Sequence, residues 1–157
     1  MYVILTAPQF ESMTVTQIRD TITTMQEKFD TKNPFLEKMG IKIIDWQDGS
    51  CIFEMPIQPW HLNRTGALQG GVVSTLVDAA CGYAGFYSPP GMPEIHGVTI
   101  TLNVNFVSSA NSGILCAKAQ RVGGGRKIFF SVAQVHTESG VLIASGQASF
   151  KYRSPHP

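Results

Sequence analysis

The second half of the chain is patterned for strands and the first half mostly for helices. From Val98 to Phe106 apolar and polar residues alternate: Val98, Ile100, Leu102, Val104 and Phe106 are set to point one way, and Thr99, Thr101, Asn103 and Asn105 the other. Three more long runs follow, Ile114–Val122, Lys127–Glu138 and Val141–Tyr152. Short breaks at Asn111-Ser112-Gly113, Gly123-Gly124-Gly125 and Ser139-Gly140 separate them, which predicts an antiparallel meander. Upstream, Ile41–Gln47 and Cys51–Gln58 meet at Asp48-Gly49, a strong hairpin signal. Near the N-terminus Val15, Ile18, Ile22, Met25 and Phe29 recur at helical spacing and predict an amphipathic helix over 14–29. Asn33-Pro34 breaks that helix, and a short helical turn over 35–39 ends at Gly40.

The stretch from Leu68 to Tyr87 has another character. It lacks proline and is apolar around most of its circumference, so it predicts a helix of about five turns that is buried rather than amphipathic. Gly71, Ser74, Thr75, Asp78, Gly82 and Gly85 fall on one small, polar face, which lets a backbone or a ligand come close. Asp78 is the only Asp, Glu, Lys or Arg between Arg64 and Glu94. A carboxylate in such surroundings is kept for an ion pair, a polar cap or chemistry. One long apolar helix needs a sheet that curves around it, and the element order points to an α+β protein of hotdog architecture, its antiparallel sheet wrapped around the helix at about residues 68–87. The expected organisation is a helical extension over 1–33 and a hotdog domain over 34–157.

Composition narrows the function. Only 15% of the 157 residues are charged, which favours an oligomer over a monomer with much neutral surface. A formal net charge of +1, with no Lys/Arg run beyond two residues, argues against a nucleic-acid partner. Cys51, Cys81 and Cys116 stand singly without CxxC spacing, as buried thiols in a reducing compartment. No apolar run approaches a membrane span and the N-terminus lacks a signal-peptide pattern, so the expected location is the cytoplasm. His61 and His96 flank the loops without a Cys/Glu cluster, which predicts structural or solvent-facing roles and no metal or other cofactor. The absence of a Gly-x-Ser-x-Gly elbow argues against a serine-triad hydrolase.

Asn63-(x)2-Gly66-(x)2-Gln69-Gly70-Gly71-(x)6-Asp78 resembles the motif of the PaaI-like acyl-CoA thioesterases of the hotdog superfamily. Gly97–Phe106 resembles their third strand, and Gly125-Arg126-Lys127 with the 140–146 stretch their last hairpin. The likeness runs from about Phe35 to the end; one departure is Gln69, where the family usually has histidine. It implies thioester hydrolysis with Asp78 as general base or nucleophile, and a hydroxyl at Thr99 that helps place water near the acid.

The residues support that chemistry in their own right. Gly70 and Gly71 open the helix, where free amides and the helix dipole can polarise a thioester carbonyl. Asn63 can donate to the thioester oxygen or orient water; read alone, it is a turn residue. Arg126 and Lys127, after a glycine run expected to leave amides free, can meet coenzyme A phosphates, as Gln69 can meet the substrate. Asp78 stands eight residues past Gly70, about 12 Å along the axis, so the two cannot serve one thioester within a chain. The expected active unit is a homodimer with two equivalent sites, assembled further as a homotetramer. The alternatives are a non-catalytic acyl-CoA binding module, which Gln69 favours and Asp78 opposes, a hotdog dehydratase or hydratase lacking its histidine, and a structural oligomer.

Overall fold

The computed structural model describes residues 33–89 and 91–153, and the helix expected over 14–29 lies outside them. A short helix α1 (Pro34–Lys38) starts at Asn33, whose side chain accepts from the Phe35 and Leu36 amides. Strands β1 (Lys42–Gln47) and β2 (Ser50–Pro56) form the expected hairpin across Asp48-Gly49, with Gly49 at φ 84°. A 3-10 turn (Pro59–His61) leads through a loop to α2 (Gly70–Tyr83), and four strands follow: β3 (Gly97–Phe106), β4 (Ile114–Gly124), β5 (Ile128–Thr137) and β6 (Leu142–Tyr152).

One antiparallel sheet in the order β1-β2-β4-β5-β6-β3 takes all six strands. The last four were expected as a simple meander. Only β4-β5-β6 is one, and β3 lies at the far edge beside β6. Alternation marks a strand but does not name its neighbour. Here the 107–113 connection carries the chain from one side of the sheet to the other. It is held on the way by Val107 N to Ile143 O (2.8 Å), Leu68 N to Ala110 O (2.8 Å) and Ile57 N to Gly113 O (2.8 Å).

Helix α2 lies on one face of this sheet. Val73, Leu76, Val77, Ala80 and Cys81 are buried against Phe53, Met55, Leu115, Ala117, Phe129, Val135 and Ile143. Gly146 makes the close approach possible: a Cβ there would lie 2.6 Å from Val77 Cγ1 and 2.9 Å from the Asn103 carbonyl.

The helix is shorter than the apolar run predicts and is not buried all round. It ends at Tyr83, whose carbonyl accepts from Trp46 Nε1 at 2.7 Å, and Gly85 then packs directly on the Phe129 ring. Beyond it Phe86 meets Phe129 edge-on at 5.3 Å, and Phe129 stacks on Phe150 at 5.0 Å. Gly82 and Gly85, expected on the open stripe, are enclosed by Phe86, Phe129 and Phe150. The sheet covers one side of α2, while Gly71, Ser74, Thr75 and Asp78 stay at least partly open on the other.

Strand β3 also departs from strict alternation. Its pairing with β6 runs Thr99 to Phe150 and then Thr101 to Ser149, which leaves Ile100 as an extra residue in a β-bulge. Thr99 therefore shares the α2 face with Leu102, Val104 and Phe106, while Val98 and Thr101 pair with Lys151 and Ser149 on the opposite face.

Gly146→Ala is expected to destabilise the fold by about 1–3 kcal/mol, since neither Val77 nor the β3 backbone can give way. Chemical denaturation reads it as a lower midpoint at unchanged slope. Ser131 Oγ is buried without a partner among the described residues, so Ser131→Ala in the same experiment leaves the midpoint unchanged or raises it.

Candidate active site

The loop into α2 is built by its own polar groups. Asn63 Oδ1 accepts from the Thr65 amide (2.9 Å), the Thr65 hydroxyl (2.6 Å) and the Ala67 amide (3.2 Å). Gly66, at φ 80°, closes the turn by donating to the Asn63 carbonyl at 2.9 Å. His61 is 1% exposed, and its Nδ1 accepts from the Gln58 amide at 3.1 Å. Burial pushes the His61 pKa down, with the Met39 backbone opposing, so the ring stays neutral and keeps that acceptor. The His61 carbonyl in turn accepts from the Gln69 amide at 2.9 Å. Gln69 thereby becomes the residue before the helix, with extended backbone and a side chain that does not cap.

Gly70 and Gly71 follow as the first two residues of α2. Their amides precede the first intrahelical bond, which runs from Val72 N to Gln69 O (3.0 Å), and they donate to no acceptor among the described residues. A Cβ on Gly71 would meet nothing within 4 Å, whereas one on Gly70 would touch the Phe106 ring at 3.4 Å. The helix start is thus an open end carrying partial positive charge.

Two turns on, Asp78 sits half-buried on the open face. Its Oδ1 accepts from the Thr99 hydroxyl at 2.9 Å, a contact made by the β3 bulge. Among the described residues it has no basic partner; the ion pairs there are His96–Glu94 (3.4 Å) and Arg121–Asp48 (3.0 Å). Burial pushes the Asp78 pKa up and the Thr99 hydrogen bond draws it part of the way back. Asp78 and the burial around it also raise the Cys81 thiol to about 12, burial being the larger cause, so Cys81 stays protonated.

The remaining candidates stand apart from this centre. Arg126 and Lys127 are exposed at the β4–β5 turn, beside a hollow of about 420 Å³ lined by Arg121, the 122–125 stretch, Phe129 and Tyr152. One amide of the glycine run there is not free as expected. Gly123 and Gly124 belong to β4, and Gly125 N donates to Ile128 O at 2.7 Å. His96 is exposed beside Glu94. A groove of about 710 Å³ crosses the sheet face turned away from α2, lined among others by Ile52, Lys118, Gln120, Val132 and Gln147, and it contains none of the candidate residues. Sequence reasoning missed the Ile100 bulge and the Thr101–Ser149 hydroxyl pair at 2.7 Å; neither has a local signal, because both depend on the pairing with β6.

Because its folded-state pKa is raised, Asp78 is costly to hold charged. Relative to high pH the fold gains stability as pH falls through the raised value, the full gain being present below the ordinary carboxylate pKa, and it loses that gain as pH rises through the raised value. Asp78→Asn is therefore expected to melt higher than the unmodified chain at neutral pH. The gap should close below the ordinary carboxylate pKa, where both side chains are neutral. Equal melting temperatures at pH 7 would show that the carboxylate carries no such burden.

Comparison with known proteins follows the same lines. Residues 65–144 match the family model described as thioesterase superfamily. Human acyl-coenzyme A thioesterase 13 is 31% identical over 110 residues, covering 68% of this chain and 76% of that protein. The crystal structure of zebra fish thioesterase superfamily member 2 superposes with a TM-score of 0.66 at 26% identity, covering 89% of this chain and 99% of that one. The phenylacetic acid degradation protein PaaI from Thermus thermophilus, in its N33D form, shares the fold at TM-score 0.67 and 22% identity, over 76% and 98% of the two chains. By these likenesses the chain belongs to the thioesterase superfamily and is a thioesterase of the hotdog fold.

Proposed function

We propose that this thioesterase hydrolyses acyl-CoA thioesters to the free acid and coenzyme A, at two equivalent sites between two copies of the chain. The likeness to human acyl-coenzyme A thioesterase 13 supports the substrate class. The observation that carries the mechanism is the Asp78 carboxylate, unpaired by any described base, its pKa raised, and hydrogen-bonded through one oxygen to Thr99. A carboxylate of raised pKa is a better base, which favours water activation over direct attack. Water adds to the thioester carbonyl as Asp78 takes its proton. The carbonyl oxygen becomes an oxyanion, held by the Gly70 and Gly71 amides of the second copy, with Asn63 as a further donor. Collapse of the adduct breaks the C–S bond. The thiolate leaves without a strong general acid, and Asp78 returns its proton to solvent or to the thiolate.

Two copies are required because Gly70 and Asp78 are separated by about 12 Å of one rigid helix. The open face of α2 and the edge strand β3, with Val98, Ile100, Leu102 and Phe106 exposed, supply a surface for that second copy. A further pairing of dimers gives the homotetramer. Gln69, Arg126 and Lys127 are placed in this reading as contacts to the coenzyme A portion. The three cysteines are free, which fits a reducing compartment, the cytoplasm.

Asp78→Asn is expected to lower kcat at least about a hundredfold in a thiol-release assay across acyl-CoAs of different chain length. Gly71→Val fits the empty space at that residue and blocks approach to the amides, so it should also be inactive. Co-expressed, the two variants regain up to about a quarter of the unmodified rate, because mixed dimers own one intact site. No recovery would place both halves of the site within one chain, and a fully active Asp78→Asn would end the assignment.

A further inference from the structure

Strict alternation along β3 would group Thr99 with Thr101, Asn103 and Asn105, on the sheet face away from α2. The inserted Ile100 breaks that grouping and turns Thr99 to Asp78. A bulge on an edge strand is free to slip unless something holds it, because only one neighbour fixes its register. One side is held by packing. Thr99 pairs with Phe150, which stacks on Phe129, and a Cβ on Gly97 would meet Phe86 at 2.5 Å and the Lys151 carbonyl at 2.7 Å. The other side is held by a polar contact. Immediately past the bulge Thr101 pairs with Ser149, and their hydroxyls lie 2.7 Å apart on the face opposite Asp78. Ser149 is buried there, in line with Phe130 of β5, so the contact is sheltered from water on one side.

We propose that Thr101 and Ser149 are positioning residues for the thioesterase site: their hydroxyl pair clasps the Ile100 bulge in the register that aims Thr99 at Asp78. Neither touches substrate or the reacting acid. Their influence passes through the backbone from Thr101 to Thr99, a span of two residues. If the clasp opens, β3 can relax toward the unbulged pairing, and the Thr99 hydroxyl leaves the carboxylate. Among the described residues the groups that act on or with Asp78 are Thr99 from β3 and Cys81 from its own helix, so loss of the Thr99 bond leaves burial unopposed there.

The inference rests on Asp78 doing the chemistry, and its test separates the two. Thr101→Val keeps the branched shape and removes the hydroxyl; Ser149→Ala removes the other half. Either variant is expected to lower kcat about three- to tenfold with KM little changed. Either also shifts the acid limb of the rate profile upward, and the Asp78 titration midpoint, followed by carboxyl carbon NMR, moves up with it. Thr101→Ser, which restores the hydroxyl, returns both to the unmodified values. In a Thr99→Val background, Thr101→Val has no further effect. An unchanged midpoint in Thr101→Val and Ser149→Ala overturns the clasp, as does a shift that persists in the Thr99→Val background. The NMR titration needs no turnover, so an active Asp78→Asn would sink the hydrolysis reading while leaving the clasp to be judged on the midpoint alone.

Discussion

Among the described residues helix α2 is covered on one side only, and the proposed chemistry follows from that. Its apolar residues Val73, Leu76, Val77 and Ala80 are seated on a single sheet, so the opposite stripe has no protein cover within the described chain. A carboxylate on that stripe is far enough from water to have its pKa raised, yet open enough to meet a ligand. The same geometry leaves the first two amides of the helix without an acceptor among the described residues. Acid and donors therefore share one face of one rod, and the rod's length keeps them from acting on one carbonyl. The small residues at Gly71 and Ser74 allow close approach of whatever completes the site, and the absence of a described basic partner keeps Asp78 from being spent in an ion pair.

The sheet order matters as much as the helix. The crossing at 107–113 sets β3 at the outer edge, where a strand has one neighbour and can carry a bulge without unpairing the sheet. An interior strand bulged at Ile100 would break two ladders; here only the β6 register shifts. The neutral hydroxyl this brings to Asp78 is a moderate partner. A basic side chain in its place would hold the carboxylate charged and poor as a base, while no partner at all would leave it protonated more readily. Thr99 sits between those limits: it orients one oxygen and leaves the other available.

Much of this is present in local signals. Asp48-Gly49 marks the first hairpin because its turn needs a positive φ, and the lone acid stands out because nothing charged surrounds it in the chain. Gly70-Gly71 marks the helix start because an apolar run begins there. What local pattern does not carry is anything decided by a strand's neighbour. Alternation in β3 is read as uninterrupted because the bulge exists only relative to β6. The helix is read four residues past its C-terminal end because its stop comes from Trp46, far away in sequence, and from the Phe129 ring against Gly85. For the same reason Gly82 and Gly85 look like part of the open stripe, although aromatic rings from β5, β6 and the following loop enclose them. Gly125 looks like a free donor until the hairpin turn that uses its amide is formed.

Asn63 shows how a structural and a chemical role can occupy one side chain without conflict. Its Oδ1 takes three hydrogen bonds from Thr65 and Ala67, which saturates the oxygen and fixes the turn. An amide so bound has only its N–H groups left to offer. A residue that activated water would need an acceptor for the water's proton, and Asn63 has none to spare. A residue that polarised a carbonyl needs a donor alone, held still. The turn that consumes the oxygen is the feature that holds the nitrogen, and it is tied through the His61 carbonyl to the residue preceding Gly70. Side-chain donor and helix amides are therefore parts of one rigid loop-and-helix entry. In the proposed mechanism this places Asn63 with the oxyanion donors of its own chain and leaves water activation to the carboxylate.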